Sequence, residues 1–220
     1  GAAVLKSRSN DDEPTTTIEG SAIRCDGKSA SLTAPNGRAQ QHVVESAFGV
    51  ASVNLNMLNL LEAHGTGTAL GDPMEVGSLA AVLRKSGVHK PTPLSTGSVK
   101  ANAGHAEPGA GFSGMLRLVI DLTCVDIGPN AQLQALNPHV GIALQTMNNV
   151  LPAQLSLCSA TEWTEHVGGV NSFGYSGTIA HTVVCSRKHG AANQVNALLT
   201  YTRRSFQWLA TTSNAAEVWS

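Results

Sequence analysis

The chain is poor in charged and aromatic residues, and it has no long basic or apolar run. Charged side chains make up 13% of its 220 residues and aromatic ones 4%, and the formal net charge is −1. A nearly neutral chain without a basic cluster has little electrostatic attraction for nucleic acid or for an anionic membrane surface. No apolar stretch approaches the roughly 20 residues that span a bilayer. Neither nucleic acid nor a membrane is therefore an expected partner.

Cysteines are few and scattered. The four, Cys25, Cys124, Cys158 and Cys185, lack the Cys-x-x-Cys spacing of zinc sites and redox pairs. The first residues also lack the charged-then-apolar pattern of a secretory signal. We predict reduced thiols in an intracellular protein, cytoplasmic or plastid, with no bound metal.

Predicted strands and helices alternate along the chain. Residue patterns predict strands over Thr17–Cys25, Leu58–Ala63 and Leu94–Val99, and helices over Arg38–Phe48, Asp72–Arg84 and Gly109–Cys124. The last of these helices is almost wholly apolar, which predicts burial on nearly all sides. Two later β-like segments, His166–Phe173 and Ile179–Cys185, are separated by a glycine-containing stretch typical of a tight hairpin. The pattern favours a layered α/β fold with a buried mixed sheet.

Acidic residues and a proline mark the start of the second predicted helix. Asp72 is expected to be its N-cap, with Pro73 in the first turn. Glu75 is expected to do no more than place negative charge near the helix N-terminus.

Three motifs contain most of the residues suited to catalysis. They are Glu62-Ala63-His64-Gly65-Thr66-Gly67-Thr68, Lys100-Ala101-Asn102-Ala103-Gly104-His105, and Gly169-Val170-Asn171-Ser172-Phe173-Gly174-Tyr175-Ser176-Gly177-Thr178. His64 follows an apolar strand, so its ring is expected at a strand end, where the active sites of α/β proteins gather. A neutral imidazole N–H in a dry site can stabilise a developing oxyanion. A histidine taken alone is more often structural.

In their order and spacing the three motifs resemble the C-terminal half of a β-ketoacyl synthase, over about residues 1–185. The resemblance implies the C-terminal half of a thiolase-like fold. It also implies three parts: the end of the N-terminal half and a connecting loop (1–16), the ketosynthase C-terminal domain (17–189) and a linker (190–220). The stretch Gly104-His105-Ala106-Glu107-Pro108 is closer to type I polyketide and animal fatty acid synthases than to free-standing bacterial enzymes.

The same resemblance implies a role for each motif. His64 and His105 would be catalytic, and the Lys100 ammonium would keep both imidazoles neutral by like-charge repulsion. Thr66 and Thr68 would bind the phosphopantetheine arm that delivers the substrate, although threonines in such a turn also bond local backbone. The gating loop would be Phe173, Gly174 and Tyr175, where a backbone N–H completes an oxyanion hole; His181 would be structural.

The implied activity is that of an acyltransferase: decarboxylative Claisen condensation of an acyl thioester with malonyl-carrier protein, in polyketide or fatty acid biosynthesis. The family's nucleophilic cysteine, in a Thr-Ala-Cys-Ser context, is not in this chain. Cys25 and Cys185 are unsuitable substitutes, because they lie in or beside predicted strands, without the helix N-terminus or cation that activates a thiol. The chain alone is therefore expected to be inactive in condensation.

The implied partners are an acyl carrier protein, a cysteine-bearing N-terminal ketosynthase half and a second copy in a homodimer. No cofactor is expected on this domain itself, because the phosphopantetheine arm belongs to the carrier. The alternative is a non-catalytic half-domain or partner subunit of a condensing enzyme. Either form would expose an apolar face if isolated, so we predict self-association of the lone chain.

Overall fold

The computed structural model describes residues 5–6, 16–27, 34–88, 92–124, 126–131, 133–157 and 165–187. The helices are α1 (Gly37–Val50), α2 (Gly71–Lys85), α3 (Lys100–Ala103), α4 (Ala110–Cys124) and α5 (Pro138–Leu144). The strands are β1 (Thr16–Cys25), β2 (Leu58–Glu62), β3 (Leu94–Gly97), β4 (Asp126–Ile127), β5 (Asn149–Val150), β6 (Ser156–Leu157), β7 (Glu165–Phe173) and β8 (Thr178–Arg187). Every helix and strand predicted above is present, with its ends within two residues of the prediction. Cys158, the linker expected at 190–220 and most of 1–16 lie outside the described residues.

Six strands form one mixed sheet in the order β1-β8-β7-β2-β3-β5. Strands β7, β2, β3 and β5 are parallel, whereas β8 runs antiparallel to both β1 and β7. The crossover that parallel neighbours require is supplied between β2 and β3 by α2. The predicted mixed sheet is confirmed, and its topology brings the carboxyl ends of β2, β3 and β7 to one edge.

Helices cover both faces of the sheet. Leu58 and Leu61 pack with Leu79 of α2, whereas Leu60 packs with Leu118 and Leu122 of α4. Leu60 and Leu61 point to opposite faces, as successive side chains of a strand do, and the pairing of β2 with β7 shifts register between Leu58 and Leu60. The residues of α1 join the α2 side. This arrangement is the layered α/β architecture that the sequence indicated.

Helix α4 corrects one prediction. It is buried along a single stripe, formed by Ala110, Gly114, Leu118 and Leu122, and it leaves other apolar side chains exposed. Ile120, for example, is 57% exposed. The stripe repeats every four residues because one face of the helix packs on the sheet, and no described residue covers the opposite face. No helix among the described residues is long and apolar enough to cross a membrane.

At Gly20, β1 lies close against α1. A Cβ atom at this position would overlap the Ala47 carbonyl oxygen and lie 3.0 Å from Ala51 Cβ. We expect Gly20→Ala to lower the free energy of unfolding by about 1–3 kcal/mol through overpacking. The matched control is Gly77→Ala in α2, where a Cβ meets no atom within 4 Å and alanine favours the helix by about 0.5–1 kcal/mol. Denaturant unfolding tests the pair, and equal stabilities would contradict the expectation.

Candidate active site

Three parallel strands deliver the predicted site residues to one edge of the sheet. His64 follows β2, Lys100 and His105 follow β3, and Phe173 is the last residue of β7. The turn after β2 contains Gly65, whose φ of +46° is a backbone conformation that residues with a side chain rarely adopt. The motifs, widely separated in sequence, therefore meet because their strands are parallel neighbours.

A cleft of about 1090 Å³ opens at this edge. It is lined by most of the predicted site residues: His64, His105, Thr66, Thr68, Phe173, Gly174 and Tyr175. Cys25, Gln40 and Glu75 also line it. Lys100 is half-buried and is not among the residues that line the cleft. One cleft thus holds residues from all three motifs.

His64 is fixed by contacts on both its backbone and its ring. Its N–H donates to Glu75 Oε1 at 2.7 Å. Its ring nitrogen Nδ1 accepts the Phe173 N–H at 3.3 Å, and the two rings lie 5.6 Å apart. Because Nδ1 is an acceptor, a neutral His64 ring carries its proton on Nε2. The fold therefore selects one tautomer, with Nε2–H as its donor.

Burial holds His64 in the neutral form. Burial, the Lys100 ammonium and His105, in that order of importance, together lower the pKa of His64 to about 4. The predicted influence of Lys100 on this histidine is thus present, but it is second to burial. At neutral pH the ring is an uncharged hydrogen-bond donor.

His105 is exposed, and its ring is held by a backbone N–H like that of His64. Its Nδ1 accepts the Glu107 N–H at 2.8 Å, so a neutral ring again carries its proton on Nε2. The His64 and His105 ring centres are 6.1 Å apart with planes nearly perpendicular, at 89°. Glu107 has a φ of +45°, which is uncommon for a residue other than glycine. The site therefore contains a locally strained turn that presents His105.

Lys100 is surrounded by more acidic charge than the motif alone indicates. Burial lowers the pKa of Lys100, whereas Glu62, Glu75 and Asp72 raise it, in that order. Opposite charges of this kind favour the ammonium form. Glu62 and Asp72, the acidic residues nearest in sequence to His64, thus both raise the pKa of Lys100.

The two threonines differ in their contacts. Thr68 Oγ1 accepts the Gly71 N–H at 3.0 Å, which satisfies a donor at the start of α2. Thr66 is half-buried and lines the cleft. The local backbone role considered for such threonines is therefore observed for Thr68, while ligand contact by either threonine stays a prediction.

Phe173, Gly174 and Tyr175 differ in whether their backbone N–H groups have partners. The Phe173 N–H donates to His64, and the Gly174 N–H donates to the Thr178 carbonyl at 2.7 Å. Within the described ranges the next N–H, that of Tyr175, has no hydrogen-bond partner, and its side chain is 85% exposed. Of these three successive N–H groups, Tyr175 has the one available to a ligand.

Two predictions about the start of α2 were wrong. The helix begins at Gly71, and the Asp72 carboxylate accepts the Gly67 N–H at 3.1 Å instead of serving as the N-cap. Glu75 does not merely charge the helix start: it is 4% exposed. Its carboxylate accepts the N–H groups of His64 and Gly65 and the Asn171 side-chain amide. In the turn at Gly65, the N–H groups of His64 and Gly65 both donate to the buried Glu75 carboxylate, which satisfies them.

Asn171 extends this contact into the core. Its Nδ2 donates to Glu75 Oε1 at 2.7 Å, and its Oδ1 pairs with His181 Nδ1 at 2.6 Å. The amide oxygen is an acceptor only, so His181 carries its proton on Nδ1. Complete burial lowers the pKa of His181 to about 4. The structural role predicted for His181 fits this network, whereas Asn171 was missed; a buried asparagine within an apolar strand was the available signal.

The described cysteines do not resemble an activated nucleophile. Cys185 is fully buried in β8, and burial raises the pKa of its thiol to about 11. Cys25 is exposed at the end of β1. Among the described residues, no three His, Cys, Asp or Glu side chains are grouped so as to hold a metal ion.

The charge state of His64 can be tested by NMR titration of histidine side chains. We expect His64 and His181 to stay neutral until the pH approaches 4, against an ordinary histidine pKa of 6.5. Lys100→Met should raise the pKa of His64 and leave that of His181 unchanged, because burial alone lowers the latter. A depressed histidine pKa favours the unfolded chain on protonation, so these groups remove stability as the pH falls from about 6.5 to about 4. A His64 pKa unaffected by Lys100→Met would contradict the assignment.

Comparison with known proteins agrees with this geometry. The family model described as "Beta-ketoacyl synthase, C-terminal domain" matches residues 15–134. A phenolphthiocerol/phthiocerol polyketide synthase of Mycobacterium tuberculosis is 39% identical over 192 residues, which are 84% of this chain and 10% of that protein. The 6-methylsalicylic acid synthase of Penicillium terrestre is 36% identical over 182 residues, 81% of this chain and 10% of that protein. The chain thus spans about a tenth of these curated relatives.

Solved structures agree in fold. An oxazolomycin ketosynthase domain from Streptomyces albus superposes with a TM-score of 0.72 at 27% identity, covering 80% of this chain and 30% of that one. The module 6 ketosynthase of the Bacillus subtilis bacillaene synthase gives 0.71 at 28% identity, covering 78% and 30%. The fold is therefore thiolase-like, as the resemblance implied. This chain belongs to the β-ketoacyl synthase family and carries its C-terminal domain, of the type found in polyketide synthases.

Proposed function

We infer that this chain supplies the histidine-bearing half of a β-ketoacyl synthase that extends an acyl thioester with malonyl units in polyketide or fatty acid biosynthesis. The observation that carries this proposal is the pair of imidazoles whose Nδ1 atoms both accept backbone N–H groups. Each neutral ring then has Nε2–H as its donor, and both rings line one cleft. Two such donors suit a thioester oxygen that becomes negatively charged.

The chemistry divides between the two halves. Loss of CO2 from the malonyl thioester moves the electron pair of the broken C–C bond into an enolate, whose oxygen would accept hydrogen bonds from His64 and His105. The enolate carbon then attacks the carbonyl of an acyl group held on a cysteine of the N-terminal half. The free Tyr175 N–H would bind the oxyanion so formed. When the oxyanion collapses, the bond to the cysteine sulfur breaks, the thiolate leaves, and the new C–C bond is kept in the product.

The remaining contacts are those of a carrier-dependent enzyme. Thr66 and Thr68 are proposed to bind the phosphopantetheine arm of an acyl carrier protein, because their side chains line the same cleft as the histidines. The exposed face of α4, including Ile120, is proposed to contact the N-terminal half or the homodimer mate. An intracellular location, cytoplasmic or plastid, stays a prediction.

A decarboxylation assay with malonyl-carrier protein tests the proposal. We expect this chain to release CO2 slowly without condensation, and to condense only after a cysteine-bearing N-terminal half and an acyl donor are added. The alternative, a non-catalytic half-domain, predicts binding of the partner half with no CO2 release in either mixture. Size-exclusion chromatography of the lone chain should show self-association through its exposed apolar face. A stable monomer would argue against a face that needs a partner to cover it.

A further inference from the structure

Glu62 is a buried carboxyl group that the reaction above does not use. It is the last residue of β2, two positions before His64, and it is 4% exposed. Its Oε1 accepts the Val99 N–H at 2.7 Å. Val99 immediately precedes Lys100, so this hydrogen bond joins the end of β2 to the turn that carries the lysine.

Helix α4 has a gap in its surface where Glu62 lies. A Cβ atom at Gly114 would be 3.0 Å from Glu62 Cγ and 3.4 Å from Glu62 Oε1. The first distance is shorter than Cβ contacts normally are, so the Glu62 side chain occupies the space that a side chain at position 114 would need. The glycine lets α4 close over Glu62 and keep it from solvent. Glu62 and Gly114 are therefore complementary in shape.

The turn before Lys100 is fastened from two sides. The Ser98 N–H donates to Asn130 Oδ1 at 3.0 Å, and the next N–H, that of Val99, donates to Glu62. Asn130 also donates to the Thr96 carbonyl at 3.2 Å. Successive backbone donors thus have buried side-chain acceptors, which fixes the path of the chain as it leaves β3. Of the two acceptors, Glu62 has a carboxylate that can also act on the ammonium.

We propose that Glu62 is a positioning residue of this site, which holds the Lys100 turn in place and balances the charge of the Lys100 ammonium beside His64. The proposal rests on the proposed function only in taking Lys100 to belong to a catalytic site. Glu62 acts through Lys100 and requires no contact with substrate.

The electrostatics agree with the geometry. The pKa of Glu62 is raised to about 7: burial raises it most, the Val99 hydrogen bond, Arg117 and Lys100 oppose the rise, and Asp121 adds to it. Glu62 is also the largest of the acidic influences that raise the pKa of Lys100. Such coupling is reciprocal, because each charge stabilises the other by the same amount.

The direct test is a titration of Lys100 in the whole chain, carried out by NMR of ¹³C-methylated lysines. Glu62→Gln keeps an oxygen acceptor for the Val99 N–H and removes only the charge. We expect it to lower the pKa of Lys100. The control Glu45→Gln removes the same charge from a carboxylate that pairs with Lys85 on α2, and it should leave the Lys100 pKa unchanged. An unchanged Lys100 pKa in a folded Glu62→Gln variant would overturn the proposal.

A reciprocal measurement covers the case in which Glu62→Gln does not fold. Lys100→Met changes a half-buried side chain and identifies the Lys100 signal by its loss. It should raise the pKa of Glu62, measured by ¹³C NMR of the side-chain carboxyl groups. A Glu62 pKa equal to that of the unchanged chain would show that the two groups are not coupled, and the proposal would fail.

Activity separates this proposal from the proposed function. In a ketosynthase reconstituted with the N-terminal half, Glu62→Gln should lower kcat about tenfold with KM unchanged, the effect of about 1.4 kcal/mol lost from the transition state. An inactive unchanged enzyme with a shifted Lys100 pKa would reject the function and keep the positioning role. An active enzyme whose kcat and Lys100 pKa do not respond to Glu62→Gln would support the function and reject the positioning role.

Discussion

Replacing His64 by alanine in a ketosynthase reconstituted from this chain and a cysteine-bearing half is expected to lower the rate of decarboxylation and condensation about 100- to 1000-fold. That is the usual effect of removing one preorganised donor from an oxyanion. The expected loss lies in kcat, because the neutral ring interacts with charge that develops only in the transition state. Release of labelled CO2 and formation of the β-ketoacyl product measure the two steps separately.

The matched control is His42→Ala, which removes an exposed histidine on α1. It should leave both rates unchanged. If His64→Ala condensed as fast as His42→Ala, the assignment of His64 as an oxyanion donor would be wrong. His105→Ala should show a comparable loss, because its ring presents the same donor atom to the cleft.

Replacing Glu75 by alanine is expected to have the largest effect on stability, lowering the free energy of unfolding by about 3 kcal/mol or more. The change leaves three donors without their acceptor: the N–H groups of His64 and Gly65 and the Asn171 amide. An unsatisfied buried donor typically costs about 1–3 kcal/mol. Because these donors lie in and below the His64 turn, the ring of His64 should also lose its fixed orientation. Denaturant unfolding and the His64 NMR signals measure the two effects.

Glu45→Ala is the control for this change, because it removes a half-buried glutamate with one surface ion pair. Such a pair contributes at most about 1 kcal/mol. Equal losses of stability in Glu75→Ala and Glu45→Ala would contradict the role given to Glu75. Glu75→Gln should fall between the two, since an amide accepts at one oxygen but opposes a second N–H donor with its own NH2 group.

Local patterns were enough to predict most of the helices and strands. The alternation of β2 and β3 with α2, and the hairpin of β7 and β8, follow from short-range periodicity and turn residues. The prediction for α4 was wrong about its outer face, because composition reports how apolar a helix is and not how much neighbouring structure covers it. The start of α2 was misplaced because the Thr68 hydroxyl accepts the Gly71 N–H, while the Asp72 carboxylate accepts the Gly67 N–H of the preceding turn.

The buried polar residues of the site were harder to predict. Glu75, Glu62 and Asn171 have side chains that are ordinarily exposed. Of the three, only Asn171 has a local signal of burial, its place within an apolar strand. Their partners lie 10 to 96 positions away in the chain. Only the packing of β2, β3 and β7 side by side brings those partners within hydrogen-bond distance.

The sequence by itself determined the family, the order of helices and strands, and the identity of His64, Lys100 and His105 as candidates, because each depends on short motifs and local periodicity. The tertiary structure decided which ring nitrogen of each histidine carries the proton, how strongly burial favours neutral His64, and which carboxylates surround Lys100. These properties depend on hydrogen-bond geometry and solvent exclusion, which arise only when distant segments are packed together.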